Sequence, residues 1–170
     1  NVYSFCNRSV FKCSMNQTVE TVFPDIAIPS PTYSVAQAPD KDIYIGTESN
    51  GLYIYSENWK LKKHVPIDGI IATILPDNNG DIWLGLDETG ICLFNKNKQT
   101  FTWLHKDNTN LNNNSIRTFV SYGDSSILVG TFRGLNILNK KELTITPANI
   151  NIAGKGGLSH YSIHSMLIDK

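Results

Sequence analysis

The chain has 170 residues, of which 15 are basic, 15 are acidic and 41% are hydrophobic. This length suits one domain or a part of a longer repeat array, and the apolar fraction is high enough for a packed core, which excludes a disordered chain. The zero formal net charge argues against nucleic acid as a partner, because surfaces that bind nucleic acid carry a basic excess.

The first predicted elements are a hairpin over 2–13 and a strand over 18–23, both without the glycines found later in the chain. The chain begins at Asn1 directly in strand-like sequence, so we expect it to be a piece of a longer protein.

The chain has an odd number of cysteines, Cys6, Cys13 and Cys92, which excludes a small secreted disulfide scaffold and leaves the redox compartment open. No segment approaches the roughly 18 apolar residues of a membrane span, so we expect no direct membrane contact of this segment.

Three similar hairpins follow, over 42–55, 81–94 and 126–138. Each has an apolar strand, a glycine, a short polar turn, a second glycine and another apolar strand. The first glycines of the three hairpins, Gly46, Gly85 and Gly130, are 39 and 45 residues apart. That period is typical of four-stranded propeller blades.

A predicted strand precedes two of the three hairpins, and a predicted strand follows each of them. The strands before the hairpins lie at 71–75, 116–119 and, ahead of a hairpin that is not present, 163–168; the strands after them lie at 59–65, 99–105 and 142–146. The sequence therefore predicts an all-β fold, a β-propeller segment of about four four-stranded antiparallel blades with partial first and last blades. We place the partial first blade at 1–31, three blades at 32–67, 68–109 and 110–158, and the first strand of a further blade at 159–170.

The repeated glycines have predicted structural roles. Glycines that close the hairpin turns are expected to have positive φ, and these are Gly51, Gly90 and Gly134. Glycines inside strands are expected to let neighbouring backbone approach closely, and these are Gly46, Gly85 and Gly130. Gly80 belongs to a polar turn and Trp83 to an apolar strand, where we expect it in the core. Because the hairpin strands are apolar at almost every position, both faces of each sheet are expected to be covered.

The segment Asp77-x-x-Gly80-x-Ile82-Trp83-Leu84-Gly85 resembles the two-component regulator propeller repeat. The other repeats depart from this pattern, with Tyr44 and Leu128 in place of the tryptophan. The resemblance covers roughly 33–170 and implies a periplasmic sensor module, the extracytoplasmic part of a hybrid two-component system with a histidine kinase and response regulator in the parent protein. It also implies that the ligand is a glycan and that the output is transcription of polysaccharide-utilisation genes.

Candidate binding loops follow from the repeat. In a propeller, the loops before the first strand and between the second and third strands open on one face, around the central channel. The first class comprises 68–69, 108–114 and 154–161, and the second comprises 48–50, 87–88 and 132–133.

One position within the first strand varies among blades while its neighbours stay apolar, and it reads Ala72, Arg117 and His164. Arg117 can hold a sulfate or carboxylate through its planar fork. Aromatic side chains that can stack on a sugar ring lie in the nearby loops. The candidate ligand-binding residues are therefore Arg117, His164, Arg133, Phe132 and Tyr161. The alternative interpretation is that these are ordinary solvated loop and channel residues.

The sequence predicts no catalytic residue, no metal site and no cofactor. His160 and His164 have the spacing of a metal pair, but on a strand four residues span about 13 Å, too far for two ligands of one zinc ion. The run 77–81 lacks the alternating acidic positions of an EF-hand and has the composition of a turn. No nucleophile elbow or paired-carboxylate motif is evident.

Three hypotheses for function follow. The leading one is a non-enzymatic, ligand-sensing propeller segment whose parent binds an oligosaccharide. The second is a scaffold whose propeller faces bind other proteins, and the third is a propeller lyase or hydrolase. In each case the strand edges at both ends of the chain are expected to pair with remaining blades of the parent or with a second copy in a homodimer. The alternative is that the two ends pair with each other and close a four-bladed ring within one chain.

Overall fold

The computed structural model describes residues 2–6, 9–13, 18–22, 28–148 and 162–169. Within these ranges it has fifteen β-strands and no helix. None of the described residues forms a helix long and apolar enough to cross a membrane.

The N-terminal part forms a three-stranded antiparallel sheet, the N-terminal sheet. Its strands are β1 (Val2–Cys6), β2 (Ser9–Cys13) and β3 (Val19–Val22), in the order β1-β2-β3. The predicted hairpin over 2–13 and the strand after it are therefore confirmed.

Three four-stranded antiparallel sheets follow, each with its strands in sequence order. Blade 1 contains β4 (Thr32–Gln37), β5 (Ile43–Thr47), β6 (Leu52–Tyr55) and β7 (Leu61–Val65). Blade 2 contains β8 (Ile71–Pro76), β9 (Asp81–Leu86), β10 (Gly90–Asn95) and β11 (Thr100–Leu104). Blade 3 contains β12 (Ile116–Tyr122), β13 (Ser126–Thr131), β14 (Gly134–Asn139) and β15 (Ile145–Pro147). The predicted all-β, blade-like architecture is confirmed.

Hydrophobic cores lie between successive blades. Tyr44 of β5 and Leu84 of β9 belong to a cluster between blades 1 and 2, and both are fully buried. Trp83 of β9 and Val129 of β13 belong to a second cluster, between blades 2 and 3. Trp83 and Leu84 are adjacent yet lie in different cores, because successive strand residues face opposite sides of a sheet. Both faces of blade 2 are thus covered, and Trp83 is a core residue as predicted.

The glycines inside the second strands lie beneath an isoleucine at the start of the next blade. A methyl group added to Gly85 would come within 2.5 Å of Cγ2 of Ile116, and within 2.5 Å of Cγ2 of Thr73 in its own sheet. Gly46 has the same relation to Ile71. Close approach is confirmed, but the groups nearest to the added methyl are side chains and not the predicted backbone. They are β-branched side chains at Gly85, and the side chains of Ser34 and Ile71 at Gly46.

Turn geometry fixes the ends of the strands. The glycines that close the hairpins have φ of 73° (Gly51), 97° (Gly90) and 112° (Gly134), as predicted. The turns between third and fourth strands also contain left-handed residues, but none of these is a glycine: they are Trp59, Gln99 and Leu143, with φ of 60°, 56° and 55°. The fourth strands of the three blades therefore begin later than the sequence predicts, at Leu61, Thr100 and Ile145.

The two ends of each blade are named here by their turns. The upper rim carries the turns between second and third strands and the starts of the first strands; the lower rim carries the other two turns of each blade. On the lower rim, Nζ of Lys140 lies 3.0 Å from Oδ2 of Asp77 in the preceding blade. Lys96, the corresponding residue of blade 2, reaches Asp40 at 2.6 Å and Asp42 at 2.7 Å in blade 1. Ion pairs thus join successive blades along the lower rim.

The C-terminal segment 162–169 continues the blade pattern without being part of a sheet among the described residues. The amide of Ile163 donates to the carbonyl of Thr131 at 2.9 Å, and the side chain of Ile163 covers Gly130 as Ile116 covers Gly85. These contacts place the segment beside blade 3, and the first strand of a further blade over 159–170 stays a prediction, because 162–169 is not assigned as a strand. In the described part of the chain, β1 pairs with β2 alone, so no pairing between β1 and 162–169 closes a ring.

Candidate functional site

The first strands of all three blades have a register shift at the upper rim. The shift lies between Thr32 and Ser34 in β4, between Ile71 and Thr73 in β8, and between Ile116 and Thr118 in β12. The skipped residues are Tyr33, Ala72 and Arg117. A bulge of this kind leaves its extra residue outside the ladder and re-aims the side chain.

A repeated hydrogen bond holds the neighbouring turn beside each bulge. The amide of the first turn residue donates to the carbonyl of the residue just before the first strand. The pairs are Glu48 to Pro31 at 2.9 Å, Asp87 to Ile70 at 3.0 Å and Phe132 to Ser115 at 3.0 Å. The bulge residue and the turn of a blade therefore form one local unit on the upper rim.

In blade 3 this unit brings together two residues of the predicted set. The guanidinium of Arg117 lies 5.8 Å from the centre of the Phe132 ring, which is 52% exposed. On blade 2, Asp87 approaches the same guanidinium, with 3.4 Å between Nη1 of Arg117 and Oδ2 of Asp87. The guanidinium of Arg117 thus lies between an aromatic ring of its own blade and a carboxylate of the preceding blade.

Hydrogen bonding in this cluster is incomplete within the described residues. Arg117 is in ion-pair range of Asp87 but forms no hydrogen bond there, although a guanidinium has five N–H donors. Nε of Arg117 and Oδ1 of Asp87 are both buried and lack a hydrogen-bond partner in this part of the chain. Buried polar atoms normally have partners, so the contact between Arg117 and Asp87 leaves part of the hydrogen-bonding capacity of both groups unused.

The remaining predicted residues are placed differently. Arg133 is exposed in the same turn as Phe132, and its amide donates to Oγ1 of Thr131 at 3.0 Å. His164 is exposed in the C-terminal segment and lies 3.1 Å from Oγ of Ser162. No described contact joins either residue to Arg117. Tyr161 and His160 lie outside the described residues.

The asparagine-rich loop over 108–114 uses its side chains within the protein. Oδ1 of Asn112 accepts hydrogen bonds from Oγ1 of Thr131 at 2.9 Å and from Nδ2 of Asn136 at 2.8 Å. Oδ1 of Asn114 accepts from the amide of Lys106 at 2.8 Å. These amides organise the loop that leads into β12, so they are better explained as structural residues than as ligand contacts.

Sequence reasoning missed two residues of the site. Tyr33, 44% exposed, holds the bulge position in blade 1. The sequence contains a signal for this position, because the bulge residue always lies thirteen residues before the second-strand glycine of its blade. This spacing holds for Tyr33, Ala72 and Arg117. Asp87 was assigned to a candidate loop, but nothing in the sequence pairs it with an arginine thirty residues later in the next blade.

A cleft on the lower rim is another candidate site. It has a volume of about 720 Å³ and is lined by the turns 77–79 and 123–125, together with Lys140 and Lys141. Two of its four charged lining residues, Lys140 and Asp77, already pair at 3.0 Å. The upper-rim cluster, with its unpartnered atoms, is therefore the stronger candidate site.

The described residues contain no group of three or more histidine, cysteine, aspartate or glutamate side chains that could hold a metal ion. The acidic residues of the 77–81 turn have protein partners. Oδ1 of Asp81 accepts from Nδ2 of Asn95 at 2.6 Å, and Asp77 pairs with Lys140. These contacts agree with the interpretation of 77–81 as a turn.

No protein-family model matches the chain, and neither does any curated protein sequence. Solved structures do. The extracellular domain of BT4673 from Bacteroides thetaiotaomicron, assigned as a one-component system, matches 97% of this chain with a TM-score of 0.75 and 18% identity. The extracellular domain of BT3049 from the same organism, assigned as a hybrid two-component system, matches 95% with a TM-score of 0.65 and 25% identity. PorZ, a surface component of the type IX secretion system of Porphyromonas gingivalis, matches 80% with a TM-score of 0.62 and 13% identity.

The chain spans only about a fifth of each of these structures, 22% of BT4673, 23% of BT3049 and 22% of PorZ. Their similarity shows the fold. The predicted likeness to the extracellular region of hybrid two-component systems is thereby confirmed at the level of architecture.

Proposed function

We propose that the chain is a segment of the extracytoplasmic, ligand-sensing region of a hybrid two-component sensor, and that its upper rim binds an oligosaccharide. The observation that carries this proposal is the bulge position, which presents a different side chain in each blade at the same place on the rim. A repeated frame with one variable residue per blade is a means of building a specific site on a common fold. Structural likeness to extracellular sensor domains supports the same assignment and a periplasmic location.

The chemistry of the cluster suits a sugar. Phe132 offers an exposed ring face for the apolar side of a pyranose, and Arg117 offers planar donors for hydroxyl or acidic groups. Tyr33 supplies a second exposed ring on the upper rim of blade 1. The parent protein would transmit binding as changed packing between domains or protomers and so control polysaccharide-utilisation genes. No covalent chemistry is assigned to this segment.

Titration calorimetry of the intact chain with a panel of neutral, uronic-acid and sulfated oligosaccharides tests the proposal. We expect saturable binding of one class, weakened at least tenfold by Phe132→Ala because the stacking face is lost, an effect of about 1.4 kcal/mol. Lys98→Ala is the matched control, since Lys98 is exposed on the lower rim. The binding curve of this variant should equal that of the unsubstituted chain. Absence of binding to every saccharide, or cleavage of the saccharide into products, would overturn the proposal.

A further inference from the structure

We infer that Asp87 occupies the anion position of Arg117 in the free protein, and that the site selects a carboxylated or sulfated oligosaccharide whose anionic group replaces Asp87. This inference rests on the proposed function and adds the class of ligand and the way in which binding changes the contact between blades 2 and 3.

The contact between Arg117 and Asp87 is that of a loosely held ion pair. The closest distance, from Nη1 to Oδ2, is 3.4 Å, and no hydrogen bond joins the two groups. A guanidinium and a carboxylate in their preferred geometry form two parallel hydrogen bonds at about 2.7–2.9 Å. Asp87 therefore compensates the charge of Arg117 without forming a hydrogen bond to its fork, and a freely positioned carboxylate or sulfate can form the two parallel bonds that this contact lacks.

Backbone contacts, not Arg117, hold Asp87 in place. Its amide donates to the carbonyl of Ile70 at 3.0 Å, and the amide of Gly90 in the same turn donates to the carbonyl of Asn114 at 2.8 Å. Oγ of Ser115 accepts from the amide of Glu88 at 3.3 Å. The turn thus keeps its shape when the carboxylate of Asp87 is displaced, so exchange requires a side-chain movement only.

The partly buried charges of Asp87 and Arg117 favour a ligand with a negative charge. Asp87 and Arg117 are 22% and 31% exposed at their side chains, so both are partly removed from solvent. A ligand that moves Asp87 away without supplying an anion would leave the guanidinium uncompensated in this setting, which costs free energy. A neutral sugar has no such group, and its binding must leave the ion pair intact.

Exchange also has a consequence for signalling. Arg117 belongs to β12 of blade 3 and Asp87 to the β9–β10 turn of blade 2, so the pair is a side-chain link between blades on the upper rim. An anionic ligand that takes over Arg117 releases this link, whereas the lower-rim pair between Lys140 and Asp77 is unaffected. Ligand binding would then change the contact of two blades at one rim only.

The test compares three variants with the unsubstituted chain by calorimetry, using two probes of equal length, an oligogalacturonate and a neutral galacto-oligosaccharide. Asp87→Asn removes the competing charge and keeps the size of the side chain, so we expect oligogalacturonate to bind about three- to tenfold more tightly. Asp124→Asn makes the same charge change in an exposed lower-rim turn and should leave the affinity unchanged. Arg117→Lys keeps the charge but loses the fork, and should weaken oligogalacturonate binding.

The outcomes separate this inference from the proposed function. If the neutral probe binds as tightly as oligogalacturonate and Asp87→Asn changes neither affinity, the inference is wrong while the oligosaccharide-binding proposal stands. If Asp87→Asn weakens binding of oligogalacturonate, Asp87 is a ligand contact and the exchange is refuted. If neither probe nor any sulfated oligosaccharide binds, both proposals fail. A sulfated chondroitin fragment, run in parallel, distinguishes sulfate from carboxylate as the anion.

Discussion

Gly85→Ala is expected to destabilise the chain through a steric clash between blades. The added methyl group would lie 2.5 Å from Cγ2 of Ile116 and 2.5 Å from Cγ2 of Thr73. Both neighbours are β-branched residues with restricted χ1, so neither methyl can swing away without leaving its rotamer well. Ile116 is fully buried, which removes the option of moving it toward solvent.

Two opposing terms set the magnitude for Gly85→Ala. Overpacking of a buried site costs about 2–3 kcal/mol, the upper part of the usual range, because two separate contacts are violated. Alanine also restricts the backbone of the unfolded chain, which stabilises the folded state by about 0.5–1 kcal/mol, since Gly85 does not require a positive φ. The net loss of about 2 kcal/mol corresponds to a decrease in Tm of about 4–8 °C for a chain of this length.

Thermal and urea unfolding followed by circular dichroism measure this effect. Thr73→Ser deletes one of the two offending methyl groups, so Gly85→Ala combined with Thr73→Ser should lose less stability than the sum of the single changes. Gly123→Ala is the contrasting variant, because Gly123 has φ of 62° and no atom within 4 Å of an added Cβ. Its cost is backbone strain of about 1 kcal/mol, which Gly123→Asn should partly avoid. An unchanged Tm for Gly85→Ala, or strict additivity with Thr73→Ser, would refute the steric explanation.

Three further predictions concern the lower rim and the core. Lys140→Ala should cost about 1–3 kcal/mol in urea unfolding, because it leaves the mostly buried Asp77 unpaired, and its effect should be smaller in an Asp77→Ala background. The hydrogen bond from Lys96 lowers the pKa of Asp40 below its ordinary value of 3.8. This interaction therefore stabilises the folded chain above about pH 3.8, and the stabilisation is lost as the pH falls through the pKa of Asp40 in the folded state. The difference in Tm between the unsubstituted chain and Lys96→Ala should accordingly narrow below that pH, and an unchanging difference would contradict the assignment. Burial raises the pKa of Cys92 to about 12, so a disulfide reagent at pH 8 should modify this thiol only after unfolding, as peptide mapping of the labelled chain would show.

The fold was predictable because the repeat carries the physical constraints of a blade. Hairpin glycines such as Gly90 mark turns that need positive φ, and continuous apolar strands require two covered faces. These features are local, so each appears at a fixed place in the sequence of each blade. Strand ends were less predictable where a turn places a residue such as Trp59 or Leu143 at positive φ, since no glycine marks the turn.

The candidate site was predictable only in part, since it depends on contacts between blades. Arg117 and Phe132 were identifiable because both lie in one blade, on elements that the repeat aligns. Asp87 meets Arg117 only because β12 packs beside the β9–β10 turn, and no periodicity specifies which side chain a neighbouring blade brings there. The bulge itself follows from backbone pairing, which sequence patterns of single strands do not encode.

The backbone contacts that hold the turns of the upper rim do not involve the side chain at the bulge position, so this side chain can be replaced without disturbing the fold. In blades 1 to 3 the turn is anchored by the same backbone hydrogen bond, and a second-strand glycine is covered by the next blade. Neither contact uses the side chain at the bulge, which reads Tyr33, Ala72 and Arg117. A substitution of the partly exposed Tyr33 leaves the ladder and the inter-blade cores in place, so its stability cost stays within the small range of surface changes, about 0.5 kcal/mol. Replacement of Arg117 also removes the ion pair with Asp87 and therefore costs more. Under the proposed function, binding specificity can therefore vary at this position while other residues maintain the fold.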